Sequence, residues 1–255
     1  MDLLKSYIGG EWRLPLTSTA AVEAINPATE EVLAKAPRAS KAQLNAAVAA
    51  AKAAFPGWSK LGIDARKKHL SAIADILQAN ADELGRLLTQ EQGKPLTDAM
   101  GEANGLAGMF RYFSKFDLAP EVLEETDKRK VELRRRPLGV VALIVPWNFP
   151  LIILGSKVPT ALLAGRTIVM KPARTHPLPT VRFAELLKAR LPRGRLSGTP
   201  ARHTRTTDHH QQPPVRPPPM PAAARPRPLC AIAPPDSTMA SPITLARPLV
   251  PIPSN

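Results

Sequence analysis

Apolar residues recur at helical spacing after residue 40, and the pattern predicts four helices. The first covers residues 41–55, with Ser40 as its N-cap and Pro56-Gly57 as its end. Asp64, Asn80 and residue 97 mark the starts of the next three, and Asn80 followed by Glu83 indicates a capping box. The apolar positions that line one face of each helix are, in order, Leu44, Val48, Ala51 and Phe55; Leu70, Ile73 and Leu77; Leu84, Leu87 and Leu88; and Leu106, Met109, Phe110 and Phe113.

Beyond residue 138 the pattern changes to strands alternating with helices. Residues 139–145 are continuously apolar, which is typical of a strand covered on both faces. A buried helix over 150–164, a second strand over 167–171 and a helix over 178–190 follow. The order β-α-β-α predicts parallel strands in an open α/β sheet, and ligands of such sheets bind beyond the carboxyl ends of the strands.

Short extended pieces precede and interrupt the helices. Residues 7–12 predict a hairpin with Gly9-Gly10 as its turn, and residues 26–29 predict a second turn. Residues 129–136 predict a strand. Three glycines in the fourth helix, Gly101, Gly105 and Gly108, indicate close helix packing rather than phosphate binding, because no strand precedes them.

Composition divides the 255 residues at about residue 192. Residues 193–255 hold 15 of the 29 prolines and no Phe, Trp, Tyr, Lys or Glu. The formal net charge of +14 splits into +8 for residues 1–192 and +6 for residues 193–255. Proline disrupts helices and central strands, and few large apolar residues are present to offset the entropy of ordering. We therefore expect 193–255 to be a disordered Pro/Arg-rich tail.

Two interpretations of this tail remain open. One is a basic arm that binds SH3-type domains or nucleic acid, with Pro214-Val215-Arg216-Pro217 as a PxxP match. The other is translation of GC-rich codons in another reading frame, which yields Pro, Arg, Ala, Thr and His. The absence of aromatic residues among the arginines favours the second interpretation.

Several classes of protein and site are disfavoured. A single Cys excludes a disulfide framework and a Cys-rich metal site, and no metal site is expected at His203, His209 and His210. No transmembrane or secretory segment is predicted, which favours a cytoplasmic protein with no membrane partner. The basic runs 128–130 and 134–136 are interpreted as a solvated strand face, and no nucleic-acid partner is expected.

The strand ends carry motifs that resemble the NAD(P)-dependent aldehyde dehydrogenase superfamily. These are GVVALIVPWNFP at 139–150 and KVPTALLAGRTIVMKPA at 157–173. YIGGEW at 7–12, NPATEEVLA at 26–34, EQGKP at 91–95 and RRRPLGVV at 134–141 occur in the same order as in the family. The resemblance covers residues 1–192 and implies a partial Rossmann-type cofactor domain, preceded by helices and a hairpin.

The resemblance also implies roles for individual residues. Asn148 matches the family's oxyanion-binding amide, which stabilises a thiohemiacetal formed by a Cys nucleophile. Lys171 matches the lysine that binds the adenosine ribose of NAD or NADP. Arg174 stands where a ribose-binding Glu is common, which favours NADP through its 2′-phosphate. The remaining cofactor-binding positions are Ile144, Val145, Pro146 and Trp147.

The chain departs from the family after residue 192. The sequence around Cys230 matches no motif of the family. The family's general-base Glu and its glycine-rich segment that binds the cofactor pyrophosphate are not found after residue 192. The implied family activity is oxidation of a small aldehyde to a carboxylic acid by a homo-oligomeric enzyme. We expect this chain to be a truncated, inactive part of such an enzyme. The alternative is a non-catalytic binding or scaffold protein with a Pro-rich arm.

Overall fold

In the described residues, four short strands precede a run of four helices, and five further strands and two helices follow that run. The computed structural model describes residues 3–14, 21–188 and 190–198. Its elements in chain order are β1 (Ser6–Ile8), β2 (Glu11–Arg13), β3 (Val22–Ile25), β4 (Val32–Ala36), α1 (Lys41–Ser59), α2 (Ile63–Ala79), α3 (Ala81–Gln92), α4 (Leu96–Phe113), β5 (Glu121–Thr126), β6 (Arg129–Leu133), β7 (Val140–Ile144), α5 (Pro150–Leu163), β8 (Thr167–Lys171), α6 (Leu178–Lys188) and β9 (Leu196–Gly198). The predicted α/β class is confirmed.

The main sheet has five strands in the order β2-β1-β9-β8-β7. Strands β7, β8 and β9 are parallel, and β1 joins them antiparallel through β9. The predicted hairpin is therefore confirmed as β1–β2, with Gly9 at φ 64° and Gly10 at φ 96°. Positive φ at both central residues is the conformation that a type I′ two-residue hairpin turn requires.

Among the described strands β7 lies at the edge of this sheet and is buried on one face only, so the prediction that both its faces are covered is wrong. Within the described residues Leu143 is buried, but Ala142 is exposed and Ile144 is 56% exposed. The order β9-β8-β7 matches strands 3-2-1 of a doubly wound sheet, in which a fourth strand pairs with the first. The apolar run of β7 is suited to such a covered position.

Helices α2, α4 and α5 pack around one hydrophobic core beside the sheet. Leu70, Leu106 and Leu154 are fully buried in it. The predicted close packing through glycine is confirmed at Gly105, where an added Cβ would lie 2.9 Å from Ile152 Cδ1. Gly101 and Gly108 have no atom within 4 Å of such a Cβ, so the prediction does not hold for them.

Helix α1 differs from its prediction in length and in buried face. Ser40 is its N-cap, with a capping box to Gln43, but the helix continues through Pro56 to Ser59. Trp58 explains the extension, because this fully buried side chain donates from Nε1 to the Leu162 carbonyl oxygen at 3.0 Å. The small Ala47 and Ala51 side chains face the sheet, and the predicted Leu44 and Val48 are only partly buried.

The capping box predicted at Asn80 and Glu83 is wrong. Asn80 is the N-cap of α3, but its side chain makes no capping hydrogen bond. Its Nδ2 instead donates to the Ile76 carbonyl oxygen at 2.7 Å, so the side chain caps the end of α2. Because only Asn80 separates α2 from α3, the same residue serves both helix ends.

The basic runs at 128–130 and 134–136 lie on and after an exposed two-stranded ribbon, β5–β6. Glutamates on the ribbon pair with them: Glu125 lies 3.2 Å from Lys130, and Glu124 pairs with Arg129. Strand β6 ends at Leu133, three residues before the predicted end. The alternating charges are consistent with the interpretation as a solvated strand face.

The main sheet includes residues beyond 192, the predicted end of the family-like region. Residues 196–198 form β9, which pairs in parallel with β8 between Ile168 and Met170. Leu196 and Ser197 are buried, because β9 is an interior strand between β8 and β1. The predicted disordered tail from residue 199 onward, including Cys230, lies outside the described residues.

Candidate functional site

The carboxyl ends of β7 and β8 meet at one edge of the sheet. Ile144 and Lys171 are register partners, and the Val145 amide donates to the Lys171 carbonyl oxygen at 2.9 Å. Val145 is buried, whereas Pro146 and Trp147 are exposed in the loop that follows. The structure therefore places the five expected cofactor-binding residues at one edge of the sheet. The expected catalytic residue, Asn148, follows in the same loop.

Asn148 lies at the surface immediately before α5. Phe149 is the N-cap of α5 and Pro150 its first residue, and no side chain caps the helix. The side-chain amide of Asn148 makes no hydrogen bond with the residues that the structure describes. A capping role for Asn148 is therefore not seen, and no described residue occupies the two N–H donors of its side-chain amide.

Two side chains from the α3–α4 turn bind the backbone of the Asn148 loop. Gln92 Nε2 donates to the carbonyl oxygens of Trp147 and Asn148, the latter at 3.0 Å. Lys94 Nζ donates to the same Asn148 carbonyl oxygen at 2.9 Å and lies 4.0 Å from the centroid of the Phe149 ring. The sequence identifies EQGKP only as a family motif, and no local pattern predicts these contacts.

A buried carboxylate balances the charge of Lys94. Glu102 on α4 is 4% exposed and forms an ion pair with Lys94, whose side chain is 13% exposed. Its second oxygen, Oε2, accepts from the Ile152 amide in the first turn of α5 at 3.4 Å. Glu102 thereby connects α4 to both the lysine and the start of α5.

Lys171 ends β8 beside this loop. Burial lowers the pKa of its half-buried ammonium group. Its Nζ donates to the Pro172 carbonyl oxygen at 3.2 Å, which leaves two of its three donor positions without a partner among the described residues. An ammonium with spare donors at the carboxyl edge of a parallel sheet fits the hydroxyl groups of a cofactor ribose.

Trp147 and His176 form the outer wall of the same edge. Their ring centroids are 6.0 Å apart, and Thr175 Oγ1 lies 2.7 Å from His176 Nδ1. Burial lowers the pKa of His176, which favours the neutral imidazole. Arg174 is exposed two residues before His176.

Glu91, the first residue of the EQGKP motif, is a buried acid that the sequence did not single out. It is 1% exposed, and its Oε1 accepts from the Leu178 amide at the start of α6 at 2.8 Å. Its Oε2 has no partner among the described residues. Burial raises the pKa of Glu91 from its ordinary value of 4.5 to about 8, although the hydrogen bond from Leu178 opposes the rise.

Comparison with known proteins identifies the family. The sequence profile of the "Aldehyde dehydrogenase family" matches residues 14–210, so the chain belongs to this family. It is 37% identical over 195 residues to 3,6-anhydro-alpha-L-galactose dehydrogenase of Streptomyces coelicolor, covering 75% of this chain and 39% of that protein. It is 36% identical over 178 residues to D-glyceraldehyde dehydrogenase (NADP(+)) of Picrophilus torridus, covering 69% of this chain and 36% of that protein.

Solved structures agree with the sequence comparison. The crystal structure of PnpE in complex with nicotinamide adenine dinucleotide superposes with a TM-score of 0.71 at 34% identity, covering 78% of this chain and 42% of that one. The chain therefore spans about two fifths of the length of the relatives it matches. The predicted family is confirmed, and the match extends past the predicted limit of 192 to residue 210. Of the relatives named here, one was solved with nicotinamide adenine dinucleotide and another is named for NADP(+).

In the described part of the chain, no helix combines the length and apolar character needed to cross a membrane. Over the same residues, no three His, Cys, Asp or Glu side chains are grouped closely enough to hold a metal ion.

Proposed function

We propose that this chain is the N-terminal, cofactor-binding part of an NAD(P)-dependent aldehyde dehydrogenase that oxidises a small aldehyde to a carboxylic acid. The observation that carries the proposal is the hydrogen bond from Val145 to Lys171, with the Asn148 loop directly after it. It unites the expected cofactor-binding strand ends and the expected oxyanion donor at one edge of the sheet. The proposed enzyme is cytoplasmic and homo-oligomeric.

Asn148 is the proposed catalytic residue. Attack of a Cys thiolate on an aldehyde converts the carbonyl oxygen into an oxyanion, and the Asn148 amide donates to that oxygen. An amide suits this role because it is neutral and donates without a change of protonation state. Its freedom from hydrogen bonds to the described residues supports the assignment.

The cofactor supplies the hydride acceptor when it is bound. Lys171 donates to the hydroxyl groups of its adenosine ribose, and the backbone of Ile144, Val145, Pro146 and Trp147 borders it. Arg174 cannot accept hydrogen bonds from ribose hydroxyls, but its guanidinium can pair with a 2′-phosphate. We therefore propose that NADP binds more tightly than NAD.

Binding of the cofactor is tested by calorimetric titration of the full chain with NADP and with NAD. Lys171→Met should weaken binding of both by at least roughly tenfold, about 1.4 kcal/mol for one lost charged hydrogen bond. Lys157→Met, at an exposed lysine of α5, is the matched control and should bind like the unmodified chain. Equal affinity of Lys171→Met and the control would remove Lys171 from the ribose site.

The cofactor preference has its own variant. Arg174→Glu should abolish the preference for NADP, because a carboxylate repels a 2′-phosphate and accepts from ribose hydroxyls. If NADP still binds more tightly to this variant, another residue determines the preference.

Turnover requires a nucleophile that the described residues do not contain, since Cys230 is the only Cys of the chain. The chain as written should oxidise no aldehyde with either cofactor. Turnover that Cys230→Ala abolishes would overturn this prediction. In a chain continued by family sequence after β9, Asn148→Ala should lower kcat by roughly 10²–10³, the usual loss for one oxyanion donor.

A further inference from the structure

The α3–α4 turn, which carries the EQGKP motif, places two hydrogen-bond donors on one side of the Asn148 loop. Helix α3 ends at Gly93, whose φ of 76° reverses the chain direction, and Pro95 precedes α4. An αL conformation at this position is accessible to glycine without the penalty that a Cβ imposes. Gln92 and Lys94, on the two sides of Gly93, consequently both reach the carbonyl oxygen of Asn148.

The backbone of Asn148 is held by neighbouring side chains, whereas its side chain lies at the surface. Its carbonyl oxygen accepts from two side chains, whereas its amide makes no bond to the described residues. The loop over 146–149 lies between β7 and α5 and contains no helix or strand. The position of Asn148 therefore depends on side-chain contacts to its backbone rather than on a hydrogen-bond ladder.

We propose that Gln92 and Lys94 are positioning residues that hold the Asn148 amide in place by binding the backbone of its loop. The inference rests on the proposed function, in which the Asn148 amide binds an oxyanion. A donor aimed at a developing charge stabilises it only when its position is fixed before the reaction. Residues that orient such a donor act through it and touch neither substrate nor cofactor.

The charges around Lys94 support this role. A buried ammonium is costly unless it is paired, and Glu102 provides the pairing charge. Glu102 also accepts from the Ile152 amide, so one ion pair joins α4, the α3–α4 turn and the first turn of α5 around the loop. An apolar residue at position 94 would fill the same space without a donor for the Asn148 carbonyl.

The test measures the backbone order parameter of Asn148 by NMR relaxation in the full chain. Gln92→Met removes both of its hydrogen bonds at constant size, and Gln90→Met, at an exposed position of α3, is the matched control. Lys94→Met combined with Glu102→Gln removes the charges together and keeps an acceptor for the Ile152 amide. Urea unfolding of each variant separates a local from a global effect.

We expect the order parameter of Asn148 to fall from about 0.85 to below about 0.6 in both test variants and to stay unchanged in the control. The order parameters of α2 and the urea midpoint should stay close to those of the unmodified chain. An unchanged Asn148 order parameter, or a fall shared equally by α2, would overturn the proposal. The kinetics of Asn148→Ala in the chain continued by family sequence test the proposed function separately, so a failure of either idea is recognisable.

Discussion

Glu91→Gln should make this protein more stable at neutral and alkaline pH. The Glu91 carboxyl is 1% exposed, and its pKa is raised to about 8 by burial, from 4.5 when exposed. Between these values the folded chain binds one proton that the unfolded chain has released, so stability falls as the pH rises. Glutamine stays neutral and retains an acceptor for the Leu178 amide, so the variant lacks this dependence.

The size of the effect follows from the two pKa values. The contribution is fully favourable below about pH 4.5, decreases by roughly 1.4 kcal/mol per pH unit above it, and levels off above about pH 8. The free energy of unfolding of the unmodified chain should therefore fall, relative to Glu91→Gln, by roughly 2.5 kcal/mol between pH 5 and pH 7. This is a large part of the total stability of an ordinary domain.

Urea unfolding at pH 5, 6, 7 and 8 measures this difference. Glu83→Gln is the control, because Glu83 is an exposed glutamate on the same helix and its replacement leaves Glu91 in place. The control should keep the pH dependence of the unmodified chain. A difference between Glu91→Gln and the unmodified chain that stays constant within about 0.5 kcal/mol across this range would refute the reasoning.

Three further predictions concern packing and can be checked by urea unfolding. Gly155→Ala should cost about 1–3 kcal/mol, because its Cβ would lie 3.3 Å from the Leu106 Cα and force α4 and α5 apart. Gly101→Ala, where a Cβ meets no atom within 4 Å, should instead stabilise α4 by up to about 1 kcal/mol, and a loss of stability there would contradict this account. Trp58→Phe should cost about 1–3 kcal/mol, because it shrinks a fully buried side chain and removes the indole hydrogen bond to the Leu162 carbonyl oxygen, which keeps the Gly165 amide as a donor, and an unchanged midpoint would show that the indole contributes little.

Local sequence determined most helices, the hairpin and the turn at residues 26–29. Gly9-Gly10 suffices for a two-residue hairpin because glycine accepts positive φ at both positions. The Asn26 side chain closes the second turn by accepting from the Ala28 amide at 3.0 Å. Helix α5 begins at Pro150, because proline at the first helical position needs no N–H partner. The family motifs also contain Asn148 and Lys171, so the sequence alone marks both as candidate site residues.

Tertiary structure decided what no local pattern contains. Pro56-Gly57 predicts the end of a helix, but burial of Trp58 against α5 carries α1 past it. The strand over 196–198 is only three residues long, and its position between β8 and β1 supplies the hydrogen bonds that define it.

The contacts that hold the Asn148 loop also depend on tertiary structure. Lys94 and Asn148 are 54 residues apart in sequence, and only the packing of α3, α4 and α5 brings the ammonium to the carbonyl. The periodicity of apolar residues indicates which face of a helix or strand is apolar. The hydrogen-bond partner of a buried polar group depends instead on how separate helices and strands pack together. The sequence alone therefore identified the residue expected to do chemistry, and the fold revealed the residues that hold it.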